Sequence, residues 1–174
     1  MKRVAIVIVI LLGIVTTIFV FLPMDSVFSF TETRSSQPQK IYINILDENE
    51  FQIRYTHSIH LTDVLENYEI TKAKNLKLVS MEYEDVSIGM PAYAEEGETL
   101  AYEDGRYILS YENKVLSDFT IYIGNIDVDL FFIYDQQSYN LKTYLKRGKS
   151  YLFQVERVSL FEKWKGAVIG YGKT

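Results

Sequence analysis

The stretch that decides the fold runs from Ile41 to Ile70 and reads IYINILDENEFQIRYTHSIHLTDVLENYEI. Apolar residues recur at alternate positions in three runs, which begin at Ile41, Phe51 and Val64, with Glu66 as an exception in the third run. This period of two is typical of β-strands that turn one face towards a core. The polar segment Asp47–Glu50 predicts a turn, and we expect the second strand to pair antiparallel with the first.

Similar short patterns continue through the rest of the chain. A last hairpin is expected to join Tyr139–Leu145 to Tyr151–Val158, although residues 127–144 are also apolar enough for a short helix. The region Glu84–Gly105 has no clear strand pattern and is expected to be a functional or mobile loop. Regularly spaced strands without a sustained helical period predict an all-β fold, mainly an antiparallel sandwich or barrel. The other expected strands are Leu76–Tyr83, Arg106–Tyr111, Phe119–Ile123 and Leu130–Tyr134.

The N-terminal segment is apolar over residues 4–22, which read VAIVIVILLGIVTTIFVFL and contain no charge. As a helix this segment is close to the roughly 30 Å thickness of the hydrocarbon core of a bilayer. A cleaved signal peptide is the alternative, but its apolar run is usually shorter and is followed by small residues. We therefore expect a membrane anchor at residues 1–22, a polar linker at 23–39 and a β-rich domain at 40–174.

Charge predicts the orientation of this anchor. Lys2 and Arg3 precede the apolar segment, and positive residues favour the cytoplasmic side. The expected protein is thus held in the cell membrane by a single pass through residues 4–22, with its C-terminal domain extracytoplasmic.

The composition excludes several classes of function. The formal net charge is −5, with 23 acidic and 18 basic residues, and an acidic domain is a poor binder of nucleic acid. The chain has no cysteine, which excludes disulfides, thiolate metal sites and a cysteine nucleophile. The absence of disulfides also favours a prokaryotic outer surface over a secreted eukaryotic domain.

Two ionisable residues fall on the apolar faces of consecutive strands. His57 is in phase with Tyr55, and Glu66 is in phase with Tyr68. Because burying either residue alone is costly, we hypothesise that the imidazole is hydrogen-bonded to the carboxylate across the hairpin. Such a pair can fix the hairpin register, line a binding pocket, or form a catalytic unit with Ser58. The catalytic alternative is disfavoured because Ser58 follows His57 directly and points to the opposite face of a strand.

Neither a metal site nor an enzyme is expected. His57 and His60 would point to opposite sides of a strand, and two histidines with one carboxylate are a thin ligand set for zinc. The chain shows no nucleophile elbow and no phosphate-binding glycine loop. We therefore predict no catalytic residues, no metal and no cofactor.

Two motifs resemble a known family. The segment YTHSI at residues 55–59, followed by Glu66 nine residues after His57, is similar to the hallmark of the bacterial family called domain of unknown function 1850. The segment IGMP at residues 88–91 resembles the loop Gly-x-Gly-Met-Pro of the same family. The resemblance covers the chain from about Phe51 onward, and it departs from the family pattern at His60, Asp63 and Ser87.

The resemblance implies an exported domain that accompanies the membrane components of TRAP transporters of the TAXI type. It implies an accessory or binding role beside an integral membrane transporter subunit. The alternative is an independent domain that binds a small solute or a cell-wall fragment in a pocket walled by tyrosines. Gly89 and Pro91 could equally set an unusual backbone turn. The candidate binding residues are His57, Ser58, Glu66, Gly89, Met90 and Pro91.

Overall fold

The computed structural model describes residues 2–86 and 89–169 of the chain. Its first element is helix α1, Lys2–Phe21, in which no side chain is buried against the rest of the molecule. Its 20 residues give a length of about 30 Å, because an α-helix rises about 1.5 Å per residue. A helix long and apolar enough to span a membrane is therefore present where the sequence predicted it. Its retention and its direction of insertion stay predictions.

Within the described residues, twelve strands and two short helices follow α1. The helices are α2 (Leu141–Tyr144) and α3 (Leu160–Lys165). The strands are β1 (Asp25–Glu32), β2 (Lys40–Asn44), β3 (Glu50–Thr56), β4 (Asp63–Ile70), β5 (Leu76–Tyr83), β6 (Glu98–Glu103), β7 (Arg106–Leu116), β8 (Asp118–Ile123), β9 (Leu130–Tyr134), β10 (Gln137–Asn140), β11 (Lys149–Val158) and β12 (Ala167–Ile169).

In the described parts of the chain these strands form two sheets. The smaller sheet has five strands in the order β12-β2-β1-β11-β8, and the larger has seven in the order β10-β9-β3-β4-β5-β7-β6. Every described pairing is antiparallel except that of β12 with β2, which is parallel. The predicted all-β, mainly antiparallel fold after one N-terminal helix is confirmed, and its form is a sandwich.

One aromatic cluster joins the two sheets. The ring of Phe28 on β1 lies 5.0 Å from that of Phe51 on β3 and 4.9 Å from that of Phe132 on β9. Phe153 on β11 lies 5.6 Å from Phe51, and all four side chains are buried. Burial of a phenylalanine side chain contributes about 1.5–3 kcal/mol, so this cluster is a main source of stability.

The prediction of a linker at residues 23–39 is wrong for residues 25–32, which form β1 at the centre of the smaller sheet. Val27, Phe28, Ser29 and Phe30 are all fully buried. Both faces of β1 are covered, since Val27 packs in a second cluster with Tyr42 and Val158 on the side away from the main core. The alternation of Phe28 and Phe30 with Ser29 and Thr31 is short, and polar residues stand on both sides of it, which explains why the pattern was missed.

The predicted partners of two strands are also wrong. β2 and β3 were expected to form a hairpin, but they lie in different sheets, and β3 pairs with β4 and β9. The connection between them crosses from one sheet to the other and is held by Tyr134, whose hydroxyl accepts from Leu46 N and donates to Glu48 O. Likewise β11 pairs with β1 and β8, not with residues 139–145.

The short helices follow from local capping. The alternative of a short helix within residues 127–144 is confirmed by α2, where the Asn140 side chain accepts a hydrogen bond from Lys142 N. Helix α3 was not predicted, although Ser159 and Glu162 form a capping box at its start. Strand β6 was also missed, inside the region predicted as a long loop.

One end of the sandwich lies beside α1, and we call it the proximal end. Met24 and Asp25, which follow α1, share a shallow depression with Asn49 and Ile70 at one end of β3 and β4. β3 runs away from that point, so the turn at residues 57–61 lies at the opposite, distal end. The two ends are about 20 Å apart, since a strand rises about 3.3 Å per residue.

Candidate functional site

The unequal size of the two sheets leaves a cleft between them. β8 is the edge of the smaller sheet, and the inner faces of β4, β5 and β7 continue past it. Together with β8 and the loop at residues 124–129 they enclose a cleft of about 850 Å³. Volumes of this order are typical of pockets for small molecules.

The walls of the cleft are mainly apolar, and its polar groups are few. Glu66 lies among these walls on the inner face of β4. At the distal end the rim carries Thr56, Ser58 and Asp129. An apolar cavity with a few convergent polar groups is the usual form of a ligand site. The apolar wall residues include Ile53, Leu78, Met81, Phe119, Ile121 and Leu130.

Two tyrosines hold the Glu66 carboxylate. The Tyr68 hydroxyl donates to Oε2 at 2.7 Å, and the Tyr55 hydroxyl donates to Oε1 at 3.5 Å. The pairing of β3 with β4 places Glu66 opposite Ile53 and Tyr55 opposite Val64, which brings Tyr55 diagonally to the carboxylate. The Tyr68 ring is stacked against Phe51 at 4.9 Å and Phe119 at 5.5 Å, so its hydroxyl has a fixed position.

Burial has the largest effect on the pKa of the Glu66 carboxyl. Loss of water raises the pKa of the Glu66 carboxyl above its ordinary value, while the hydrogen bonds from Tyr68 and Tyr55 and the charge of Lys114 act in the opposite direction. Burial and the nearby Glu66 also raise the pKa of Tyr55 and of Tyr68, so both hydroxyls stay protonated as donors.

A lysine stands at the edge of the cleft. The Lys114 ammonium lies 4.3 Å from the centre of the Tyr111 ring. Burial, with Glu98 and Glu66, raises the pKa of Tyr111 to about 12, so this ring is neutral and can receive the cation. Among the described residues no ammonium or guanidinium forms an ion pair with Glu66.

The hypothesis of a hydrogen bond between His57 and Glu66 is wrong. The hairpin register places Glu66 opposite Ile53, whereas His57 N donates to Thr62 O in the turn. The two residues are thus separated by four positions along the strand direction, or about 13 Å. Shared phase put them on one face, but it did not determine how far apart they lie.

His57 belongs instead to a contact between the two motifs. Its ring is stacked on His60 with centroids 4.9 Å apart, and its Nδ1 accepts from His60 N at 3.4 Å. Its Nε2 lies 3.7 Å from the point where a Cβ on Gly89 would stand, and Gly89 has a φ of +89°. The turn at residues 57–61 therefore packs against Gly89, in the connection between β5 and β6.

The predicted site residues divide into two groups. Ser58 and Glu66 line the cleft, whereas His57 and Gly89 meet at the neighbouring turn. Met90 is partly buried against the core, and the carbonyl of Pro91 accepts from the Tyr83 hydroxyl at 2.7 Å. Ser87 and Ile88, which belong to the second motif, lie outside the described residues.

The described residues contain no group of three or more histidine, aspartate or glutamate side chains placed to hold a metal ion. His57 and His60 lie side by side, and Asp85 Oδ2 is 3.6 Å from His60 Nδ1. The structure thus offers the cleft as its main candidate for a ligand.

Several residues of the cleft were not predicted. Tyr55 and Tyr68 could be found from their phase with Glu66, as part of a tyrosine-walled pocket. Lys114, Phe119 and Met81 could not be found in this way. They lie on β7, β8 and β5, and neither the strand order of the larger sheet nor the packing of β8 across the sandwich leaves a local signal in the sequence.

Comparison with known proteins places the larger sheet in a family. The sequence model of the family described as Domain of unknown function (DUF1850) matches residues 51–141, slightly more than half of the chain. The chain belongs to the DUF1850 family. No curated protein and no solved structure matches it.

The DUF1850 match contains the cleft. It begins in β3 and ends at the first residue of α2, so it includes nearly all of the larger sheet together with β8. Every residue that lines the cleft, except Lys142, falls within the matched range. Helix α1, β1, β11 and α3 lie outside it. The part of the chain that defines the family is thus the part that builds the cleft.

Proposed function

We propose that this DUF1850 protein is a membrane-anchored binding domain whose cleft takes a small solute with an apolar body and a positively charged head, such as a protonated amine. The observation that supports this proposal is the Glu66 carboxylate. It lies in an apolar cleft, and the hydrogen bonds it accepts in the described structure come from neutral tyrosine hydroxyls.

The charge of Glu66 defines the chemistry of the solute. A carboxylate removed from water without a direct ion pair is costly, and the more distant Lys114 offsets only part of that cost, since burial still raises the pKa of Glu66. A ligand that brings a cation into contact with Glu66 would remove the remaining cost. The rings of Tyr55, Tyr68 and Phe119 would contact the same cation or the apolar body beside it. An anionic solute would meet repulsion from Glu66 and is not expected.

The location of the cleft supports a solute taken from the extracytoplasmic side. The cleft reaches the distal end of the sandwich, through Thr56 and Ser58, on the side away from α1. With Lys2 and Arg3 in the cytoplasm, as proposed from the positive-inside rule, this end faces away from the membrane on its outer side.

The first prediction concerns Glu66→Gln. We expect phenethylamine to raise the melting temperature of the full-length chain in detergent micelles more than its neutral isostere 2-phenylethanol does, and phenylpropionate to have no effect. Glu66→Gln should weaken amine binding about 10- to 100-fold, which corresponds to the roughly 1.5–3 kcal/mol of a hydrogen bond to a charged group. Amine binding should also be lost as pH falls through the raised pKa of Glu66, above 4.5, because the carboxylate is then protonated.

Glu69→Gln is the matched control. Glu69 is exposed on the same strand, and its substitution should leave amine binding unchanged. If Glu66→Gln keeps the preference for the amine, or if phenylpropionate stabilises the protein as well as the amine does, the proposed solute class is wrong.

We also propose that the domain serves an integral membrane transporter subunit of the TAXI-type TRAP systems. Two observations support this second proposal: membership of the DUF1850 family and a helix suited to an anchor beside such a subunit. Cross-linking in intact membranes should capture the subunit, and Glu95→Lys with Glu96→Lys, on the exposed connection before β6, should reduce capture. Glu103→Lys, an exposed charge on β6, serves as the control. Recovery of the protein without any membrane partner would contradict this proposal.

A further inference from the structure

The segment after β11 forms an aromatic group at the end of α1. Phe161 in α3 lies with its ring 4.8 Å from that of Phe21, the last residue of α1, and 6.2 Å from that of Trp164. Trp164 is 80% exposed and Leu160 is 45% exposed. The two are four residues apart in α3 and therefore share a face of the helix.

This group is held firmly to the first residues after α1. The Lys163 ammonium lies 2.7 Å from Asp25 Oδ2 and 2.6 Å from Asn44 Oδ1. The capping box of Ser159 and Glu162 fixes the start of the helix. Leu160 and Trp164 therefore keep a set position relative to the end of α1 instead of moving freely.

That position coincides with the level at which a spanning helix leaves the hydrocarbon core. Tryptophan is enriched at this level because its ring is apolar and its N–H remains polar. Lysines belong there as well, since a long side chain can keep its charge among the lipid phosphates. Lys165 is exposed and has its ammonium 4.6 Å from the centre of the Phe161 ring, whereas the ammonium of Lys163 is held by Asp25 and Asn44.

We infer that α3 is an interfacial helix that docks on the phospholipid headgroups of the outer leaflet, with Trp164 and Leu160 inserted and Lys165 close to the phosphates. The occupant of this exposed face is the bilayer that already surrounds α1. Continuity of the ring contacts from Phe21 through Phe161 to Trp164 supports this choice over a protein partner. The inference rests on α1 as a retained spanning helix, but not on the solute proposed for the cleft.

Trp164 is the only tryptophan in the chain, so native fluorescence reports on this position alone. The full-length chain is reconstituted into vesicles of phosphatidylcholine and phosphatidylglycerol without other proteins. We expect the emission to be shifted to the blue, strongly quenched by lipids brominated near the headgroup end of the acyl chain, and weakly quenched by aqueous iodide. Emission typical of water with strong iodide quenching would overturn the inference.

A variant with its single tryptophan on another element is the matched control for the quenching experiment. The double variant Trp164→Phe with Tyr122→Trp places the single indole on β8, where the native side chain is 58% exposed and lies near the distal end, away from α1. This variant should be quenched by iodide and not by brominated lipids. If native Trp164 is open to iodide in these vesicles but shielded in native membranes, a protein partner covers α3 and the inference is wrong.

Flotation of the vesicles after alkaline washing tests whether α1 is anchored in the bilayer, separately from whether α3 docks on its surface. A chain that floats with the lipid while Trp164 remains in water has an anchored α1 and an undocked α3. A chain that does not float has lost the anchor itself, and the inference falls with it.

Discussion

Replacement of Phe28 by alanine is expected to lower the free energy of unfolding by about 3–5 kcal/mol. Phe28 is fully buried, and its ring contacts Phe51, Phe132 and Tyr134 of the larger sheet at 4.9–5.0 Å. The substitution removes apolar surface from the core and leaves a cavity between two sheets whose backbones are fixed by hydrogen bonds. Since β1 lies at the centre of its sheet, neighbouring strands cannot easily move in to fill the gap.

Guanidinium unfolding of the full-length chain in nonionic micelles, followed by circular dichroism in the β-sheet region, measures this loss. Phe28→Leu, which keeps most of the volume, should cost clearly less. Tyr93→Ala, at a side chain that is 72% exposed, should change stability by no more than about 0.5 kcal/mol. Equal stability of Phe28→Ala and Tyr93→Ala would mean that residues 25–32 are a linker after all.

The second large effect is expected at Gly166, between α3 and β12. A Cβ at this position would lie 3.0 Å from Cδ2 of Tyr42, closer still to Cε2 of that ring, and 3.3 Å from the Lys40 carbonyl oxygen. Tyr42 is buried and cannot move aside without disturbing Val27 and Val158. Gly166→Ala should therefore destabilise the protein by about 1–3 kcal/mol, as overpacking of a core commonly does.

Gly124→Ala is the control for this prediction, because a Cβ there meets only Ile126 at an ordinary 3.7 Å. The same unfolding measurement should show little change for it. In a Tyr42→Leu background Gly166→Ala should lower the free energy of unfolding by less, because the ring that the new Cβ would overlap is absent. If the two costs simply add, contact with Tyr42 is not the cause.

The fold was predictable from sequence where a strand has one buried face. The runs at Ile41, Phe51, Val64 and Leu76 all proved to be strands, and residues 130–134 were predicted with their observed bounds. Strand β1 was not predicted because its alternating run, Phe28–Thr31, is short and is flanked by polar residues. Which strands are neighbours was not predicted for another reason. A local pattern shows that a strand has an apolar face, but it does not show which distant strand pairs with it or covers it.

The same distinction applies to the candidate site. Phase alone placed Glu66 on the inner face of its strand, beside Tyr68, and the structure confirms this position. Its predicted partner was wrong, because the distance between His57 and Glu66 depends on hairpin register. The opposite wall of the cleft is built by β8, more than fifty residues further along the chain, and only the folded arrangement brings it there.

The short connection between α1 and β1 has a mechanical consequence. Three residues, from Leu22 to Met24, separate the two elements, so the connection is at most about 10 Å long. A domain on so short a connection cannot move far from the end of α1. In the membrane-anchored binding domain proposed above, the cleft would stay at a nearly constant height above the bilayer, on the order of 20 Å. On that proposal, a membrane protein that exchanged solute with the cleft would have to present its own opening at the same height.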